Sequence, residues 1–503
     1  MKSTASPGRW AGLLVSGLLL LTAVFLGLLI GAEQHVLVVL FMLLLLSLPM
    51  FYLAVFGYAD QRAMLLCAGF LLMFFSQTLQ SRGVPAGYLL EMVIFLFMLS
   101  SLREVLRVAR SDATLRWVVA FFLMYFALAL ASTLLGRSGW RGAAWQLQYN
   151  LKLPLMFALG MLLVAPEHAQ AMLRRFVAWT WVFFLPFLLF ELVAYGAFMK
   201  VFGHSPSYHV NVLLPFMRGL RGPFIHAGYL SLMCGLLASG AAAFWLQGLG
   251  RRWLGYAAIY TAIAVCAGQR QELMALLLVY LVFALIQGRR HTGWLAVGAM
   301  AGVACLLMAV LVMEHNPFSE LMRQWGGGRA SDMSERAVLT EGGMRVADQY
   351  FPLGSGLGTY GGAGAQRFDQ SLFIDLGFNR YWWFRQRIFL VDTYWPSVAA
   401  EAGYPAAMLV LGAFLIIWCG LLRRAASADG AAHRPLLLTG LAALTLQLAN
   451  SPTSAGITDP RGAFVFWLLI GCAWRASVVN RAPSGKPIRH NRPVDFSVRY
   501  LSS

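Results

Sequence analysis

The sequence predicts an all-α polytopic integral membrane protein, and three observations carry that prediction. Of its 503 residues 59% are hydrophobic and only 12% charged, and the mean hydropathy is +0.67. Apolar segments long enough to cross a bilayer recur along the chain. Lys and Arg also sort by side. With the N-terminus inside, every short Arg-rich loop falls on the cytoplasmic face, as the positive-inside rule requires. About 14 spans (12–14) fit this layout at roughly 20 residues each, which leaves little chain for a soluble domain.

Met1 to Arg9 is short and basic, and the apolar stretch after it has no small-residue cleavage pattern, so it reads as an uncleaved first span. The spans then run 10–31, 35–57, 63–80, 86–102, 117–135, 153–165, 176–198, 225–246, 253–268, 272–287, 293–313, 396–422, 436–450 and 461–475. The loops assigned to the cytoplasm hold Arg62; Arg103, Arg107, Arg110 and Arg116; Arg174 and Arg175; Arg251 and Arg252; Arg289 and Arg290; and Arg423, Arg424 and Arg434. Residues 1–313 carry the first eleven spans, 314–395 form one long outward loop, and 396–475 carry the last three. The tail, 476–503, is basic and lacks periodicity, which predicts disorder on the cytoplasmic side.

The net charge of +18 is spread over membrane-flanking loops, so it points to topology and anionic lipid and away from nucleic acid. The six Cys (67, 234, 266, 305, 419 and 472) lie in apolar segments, which indicates neither a disulfide framework nor a Cys-based metal site.

Arg residues on the outward face ask for an anionic ligand, because an unpaired guanidinium at a span end is costly. Arg218 and Arg221 lie in MRGLRGPFIHAGYL before span 8, and Arg270 sits in the tight turn AGQRQE. Arg336 and Arg345 lie in SDMSERAVLTEGGMRVADQY, which opens on Ser and Asp caps and reads as an amphipathic helix lying on the membrane. Guanidinium groups bind phosphate oxygens bidentately, so these five Arg are the candidates for a lipid diphosphate headgroup.

Further along the loop, Gly356, Gly358 and Gly361 spell G-x-G-x-x-G. No strand precedes them and no βαβ unit surrounds them, so they predict a close backbone approach to a span end and no dinucleotide. In NRYWWFRQR, Trp382, Trp383 and Arg385 are candidates for a glycan platform, with indole faces for sugar rings and Arg for charged groups. VDTYWPSVAAEAGYPAAM places Asp392 at the water boundary of span 12 and Glu401 about two and a half turns deeper. A carboxylate at that depth needs a partner, and an outward Arg is the type at hand. Asp392, Glu401 and His226, the last in the first turn of span 8, are the candidate acid–base groups. HExxH, Cys clusters and DxD are all missing from the outward sequence, so no metal and no cofactor are expected.

In this order the segments resemble the O-antigen ligase and polymerase superfamily of bacterial envelope glycosyltransferases. The likeness covers about residues 205–410. It rests on Arg221-Gly222-Pro223-Phe224 entering a span, Gly268-Gln269-Arg270 in a short turn, and an Arg-bearing helix leading into Pro352 to Gly358. Asp392, Tyr394 and Glu401-Ala402-Gly403 on the following span complete it. The resemblance implies a GT-C-like helical fold in the bacterial inner membrane, with both termini cytoplasmic and the active face periplasmic. It implies an undecaprenyl-diphosphate-linked glycan as donor and acceptor, metal-independent glycosyl transfer, and a chain-length regulator or export complex as partner. Arg221, Arg270 and Arg336 would hold the diphosphate, and Asp392 would orient or deprotonate the acceptor hydroxyl.

Ligases of this group have a His-Asn pair where this chain has Asp392-Thr393. That departure favours a polymerase of O-antigen or exopolysaccharide repeat units over a ligase that moves finished polymer to lipid A–core. A non-catalytic scaffold of a polysaccharide export complex is one remaining alternative, and a flippase for lipid-linked oligosaccharide is the other. The flippase should show two similar halves and short loops on both sides.

Overall fold

A computed structural model describes residues 112–163, 166–202, 211, 214, 216–224, 226–287, 335–386, 390–427, 432–452 and 454–479. The first four predicted spans, span 293–313, the start of the long loop and the tail from 480 lie outside the described residues. Within those residues the chain is all-α. The principal helices are α1 (Ala113–Leu135), α2 (Trp140–Leu163), α3 (Pro166–Val193), α4 (Tyr195–Phe202), α5 (Ala227–Leu246), α6 (Arg252–Ala267), α7 (Arg270–Gln287), α8 (Glu335–Gln349), α9 (Trp395–Ser427), α10 (Arg434–Asn450) and α11 (Pro460–Val479). Five of them, α1, α3, α5, α7 and α9, are long and apolar enough to cross a membrane, which is consistent with a multi-pass membrane protein.

Two boundaries differ from the sequence expectation. The span predicted at 153–165 begins at Trp140, because the polar residues that lowered its hydropathy are satisfied inside the protein. Gln146 donates to Asn150 Oδ1 at 3.1 Å, and Asn150 donates to the Tyr125 hydroxyl at 2.7 Å. The span predicted at 176–198 begins at Pro166, followed by Glu167 in the first turn, where a carboxylate suits the helix dipole.

Ser132 on Glu401 and Arg424 on Asp112 set α1 antiparallel to α9, and Gln271 on Asn450 and Trp395 on Ser451 bring the starts of α7 and α9 and the end of α10 to one end of the bundle. α5 packs against α6, α7 and α10, while α9 lies along α1 and α11 crosses α2. That last crossing is glycine on glycine. A Cβ added to Gly160 would stand 2.0 Å from the Leu468 carbonyl oxygen, and one on Gly471 would stand 2.1 Å from that of Phe157.

At the end away from the long loop, Asp112 caps α1 by accepting the Thr114 N–H at 2.9 Å. Its other oxygen takes Arg424 at 3.0 Å and the Trp474 indole N–H at 3.2 Å. Burial works to raise the Asp112 carboxyl, but Arg424 and the backbone donors outweigh it and hold the group below its usual range.

At the loop end, part of the long loop has a core of its own. Leu339, Val346, Tyr360, Phe373, Phe378, Trp383 and Leu390 pack together and onto Ala400 of α9. Local chain geometry explains why this loop seats so tightly. α9 is broken at Gly403 (φ 85°), and Pro405 has no N–H to offer the Glu401 carbonyl. That carbonyl instead accepts from Ser132 Oγ at 2.6 Å and from the Gly356 N–H at 2.9 Å. The glycine-rich stretch thus approaches the helix break by its backbone, as the sequence predicted it would approach a span end.

Candidate functional site

Arg336 and Asp392 meet at the loop end. The Arg336 Nη2 lies 3.4 Å from Asp392 Oδ2, and the two side chains are 42% and 30% exposed. The approach depends on a small-residue face of α8, since a Cβ on Gly343 would stand 2.8 Å from Pro396 Cβ at the start of α9. Burial pushes the Asp392 carboxyl above the usual carboxylate range, and the Arg336 charge only partly offsets this.

Arg345 lies elsewhere. Nine residues at 100° each turn it half a revolution from Arg336, and it pairs in the open with Glu341 at 2.9 Å.

His226 caps α5, its Nδ1 accepting the Gly228 N–H at 2.9 Å. A Cβ on Gly228 would stand 3.0 Å from His226 Nδ1 and 3.1 Å from Glu272 Oε1, so imidazole and carboxylate converge over that glycine. One turn along α5, the Tyr229 hydroxyl donates to Asp459 Oδ2 at 2.7 Å. The bundle beneath is held by Gln271 donating to the Asn450 carbonyl at 2.9 Å and Trp395 donating to Ser451 Oγ at 2.8 Å. Sequence reasoning missed Glu272, Tyr229 and Asp459. Glu272 carried a readable signal, a carboxylate in the first turn of a span two residues after Arg270.

The Arg218–Arg221 and Arg270 segments lie side by side. Leu220 donates its N–H to the Cys266 carbonyl at 3.1 Å, and Asn211 donates to the Val265 and Cys266 carbonyls at 3.0 Å each. Gly268 (φ 70°) closes α6 against Asn211, where a Cβ would come within 2.5 Å, and Arg270 then opens α7. The two earlier guanidinium groups turn to α4. Arg218 stacks on the Tyr195 ring at 4.3 Å, and Arg221 lies 5.1 Å over the Phe198 ring with its Nη2 3.1 Å from Met199 Sδ. Burial lowers the Arg221 pKa from its ordinary value, with Glu191 opposing. Glu191, also missed from sequence, fixes this segment by accepting the Arg221 N–H at 3.0 Å and the Gly222 N–H at 2.8 Å.

Two expectations need correcting. Glu401, 2% exposed, is partnered by backbone and not by an outward Arg. Its Oε1 accepts the N–H groups of Gly358 at 3.0 Å and Tyr360 at 3.2 Å, so it anchors the glycine-rich stretch. Trp383 is also 2% exposed, stacked on Tyr381 with ring centres 5.3 Å apart inside the loop core, where a sugar has no access. Trp382 alone of the pair is open, at 56%, and Arg385 beside it donates to the Asn379 carbonyl at 3.2 Å.

Neither a protein-family model nor a curated protein matches this chain.

Proposed function

We propose that this protein polymerises undecaprenyl-diphosphate-linked oligosaccharide repeat units by metal-independent glycosyl transfer on the periplasmic face of a bacterial inner membrane. The observation that carries this reading is the Arg336–Asp392 pair, a partly exposed cation and carboxylate 3.4 Å apart. Diphosphate is a good leaving group, so the protein chiefly has to position an acceptor hydroxyl and neutralise departing charge.

The acceptor oxygen attacks the anomeric carbon and its proton passes to Asp392. The anomeric carbon–oxygen bond breaks, and the diphosphate leaves with the electron pair beside Arg336. A phosphate oxygen competes with Asp392 for the guanidinium, so donor binding itself releases the carboxylate for this role. The segments that carry Arg218, Arg221 and Arg270 adjoin one another at the end of α6 and the start of α7, with the Arg218 and Arg221 side chains packed on α4. A GT-C-like arrangement of about 14 spans belongs to the same reading.

The test is the glycan on undecaprenyl diphosphate in cells lacking this protein, sorted by chain length and membrane leaflet. Single repeats held on the periplasmic side, with polymer lost, are the expected result. Lipid-linked polymer accumulating there would identify a ligase instead, and repeats trapped on the cytoplasmic side a flippase.

A further inference from the structure

Two tyrosines tie α8 to neighbouring chain, one toward each end of the helix. At the far end the Tyr404 hydroxyl, on α9 beyond its break, donates to Asp348 Oδ1 at 2.7 Å in the open. Nearer the site the Tyr360 hydroxyl donates to the Leu339 carbonyl at 2.6 Å, and Leu339 lies within one turn of Arg336. The two tethers differ in footing. Tyr360 is wholly buried, its ring stacked on Phe373 with centres 4.9 Å apart and its N–H given to Glu401 Oε1 at 3.2 Å. Gly343 completes the seat, since a Cβ there would stand 2.8 Å from Pro396 Cβ and 3.0 Å from Tyr360 Cε1. A buried Tyr finds an acceptor wherever packing offers one. Here the acceptor belongs to the helix that carries the cation, while the backbone of Tyr360 is held by the helix that follows Asp392.

We propose that Tyr360 is a positioning residue, whose bond to α8 sets the reach of Arg336 to Asp392. This deepens the proposed function and rests on it for the chemistry of the pair. At 3.4 Å the pair is longer than a tight charge-assisted bond, so a small retreat of α8 breaks it. Two charged neighbours on α8 act on Asp392 in opposite senses. Arg336, through charge and hydrogen bond, holds its carboxyl down and outweighs Glu335, which pushes it up with burial. A retreat of α8 therefore raises the Asp392 value further.

The experiment uses purified full-length protein in detergent and compares the wild type with Tyr360→Phe, Gly343→Ala and Tyr404→Phe. Each is paired with its own Asp392→Asn version, and the difference in melting temperature is followed against pH. The pH at which that difference levels off marks the folded Asp392 value. Tyr360→Phe should raise it by about one unit, while Tyr404→Phe, which loses only the far tether, should keep the wild-type value. Gly343→Ala, which lifts α8 off Pro396, should raise it likewise and serves if Tyr360→Phe does not fold. With Arg336→Gln added to every protein the rise should vanish, because the effect passes through the guanidinium. A wild-type value in Tyr360→Phe, or in Gly343→Ala where it stands in, overturns the proposal, and so does a rise that persists with Arg336→Gln. This titration needs no substrate, so the two readings fail separately. A rise in Tyr360→Phe with no polymer from the wild type, given undecaprenyl-diphosphate-linked repeats, sinks the polymerase reading and keeps the positioning role. Polymer from the wild type with no rise does the reverse.

Discussion

Burial and a cation pull the Asp392 carboxyl in opposite directions, and burial prevails. A base must be ionised to act, so polymerisation should rise with pH through a limb above the ordinary Asp value of about 3.9. Asp392→Asn should abolish turnover at every pH while leaving the protein folded. The raised value also sets the stability sign. Protonation is favoured by folding, so this contribution is present at low pH and lost as pH rises through the folded value, and Asn should not lower stability at neutral pH. Wild-type turnover in Asp392→Asn, measured with purified protein, would remove Asp392 as base. The two Arg of α8 make a sharper contrast. Arg336→Lys keeps the charge but gives up the bidentate fork, so donor affinity should fall about tenfold or more. Arg345→Lys, on the opposite face, should leave affinity unchanged. Equal effects in a donor-binding assay would contradict that division. The sequence reading grouped Arg336 and Arg345 on one headgroup, although nine residues on a helix set them half a revolution apart. What spacing could not give was the partner each would find.

Helix packing at glycine fixes the elements. The α2–α11 crossing brings the backbones together at Gly160 and Gly471, where a Cβ would stand 2.0 Å and 2.1 Å from carbonyl oxygens. Gly160→Leu should therefore push the helices apart and cost about 1–3 kcal/mol, read as a lower melting temperature in detergent. An unchanged melting temperature would mean that this contact is looser than described. The break in α9 follows another rule. The sequence reading ran span 12 unbroken through Gly403 and Pro405, whereas the helix breaks at Gly403 and Pro405 removes the donor the Glu401 carbonyl would have used. The replacement donors come from Ser132 and Gly356, both distant in the chain. The Glu401 side chain followed the same course. Its need for a partner at that depth was plain, but backbone N–H groups of the glycine-rich stretch met it in place of an Arg.

Across the described helices, the starts of α5, α7 and α9 lie at the loop end, while Arg251 and Arg252 follow the end of α5, Arg423 and Arg424 lie in the last turns of α9, and Arg434 meets Gln287 at the end of α7. If the loop end faces the periplasm, a membrane-impermeant thiol reagent should label Ile374→Cys in intact cells and spare Arg251→Cys, with the wild type as background. Ile374 is 51% exposed, so its thiol is within reach. The reverse labelling would invert the orientation and move the proposed site to the cytoplasm. By itself the sequence determined that the protein is all-α with several apolar helices able to span a membrane. Transfer of an apolar segment into lipid depends on that segment's own residues, and Arg at span ends reports its side locally. Only the tertiary structure decided which polar groups meet. Arg336 and Asp392 are 56 positions apart, and His226 and Glu272 stand on separate helices. Their convergence comes from small-residue faces letting backbones close to contact distance, a property of pairs of helices that no single segment carries.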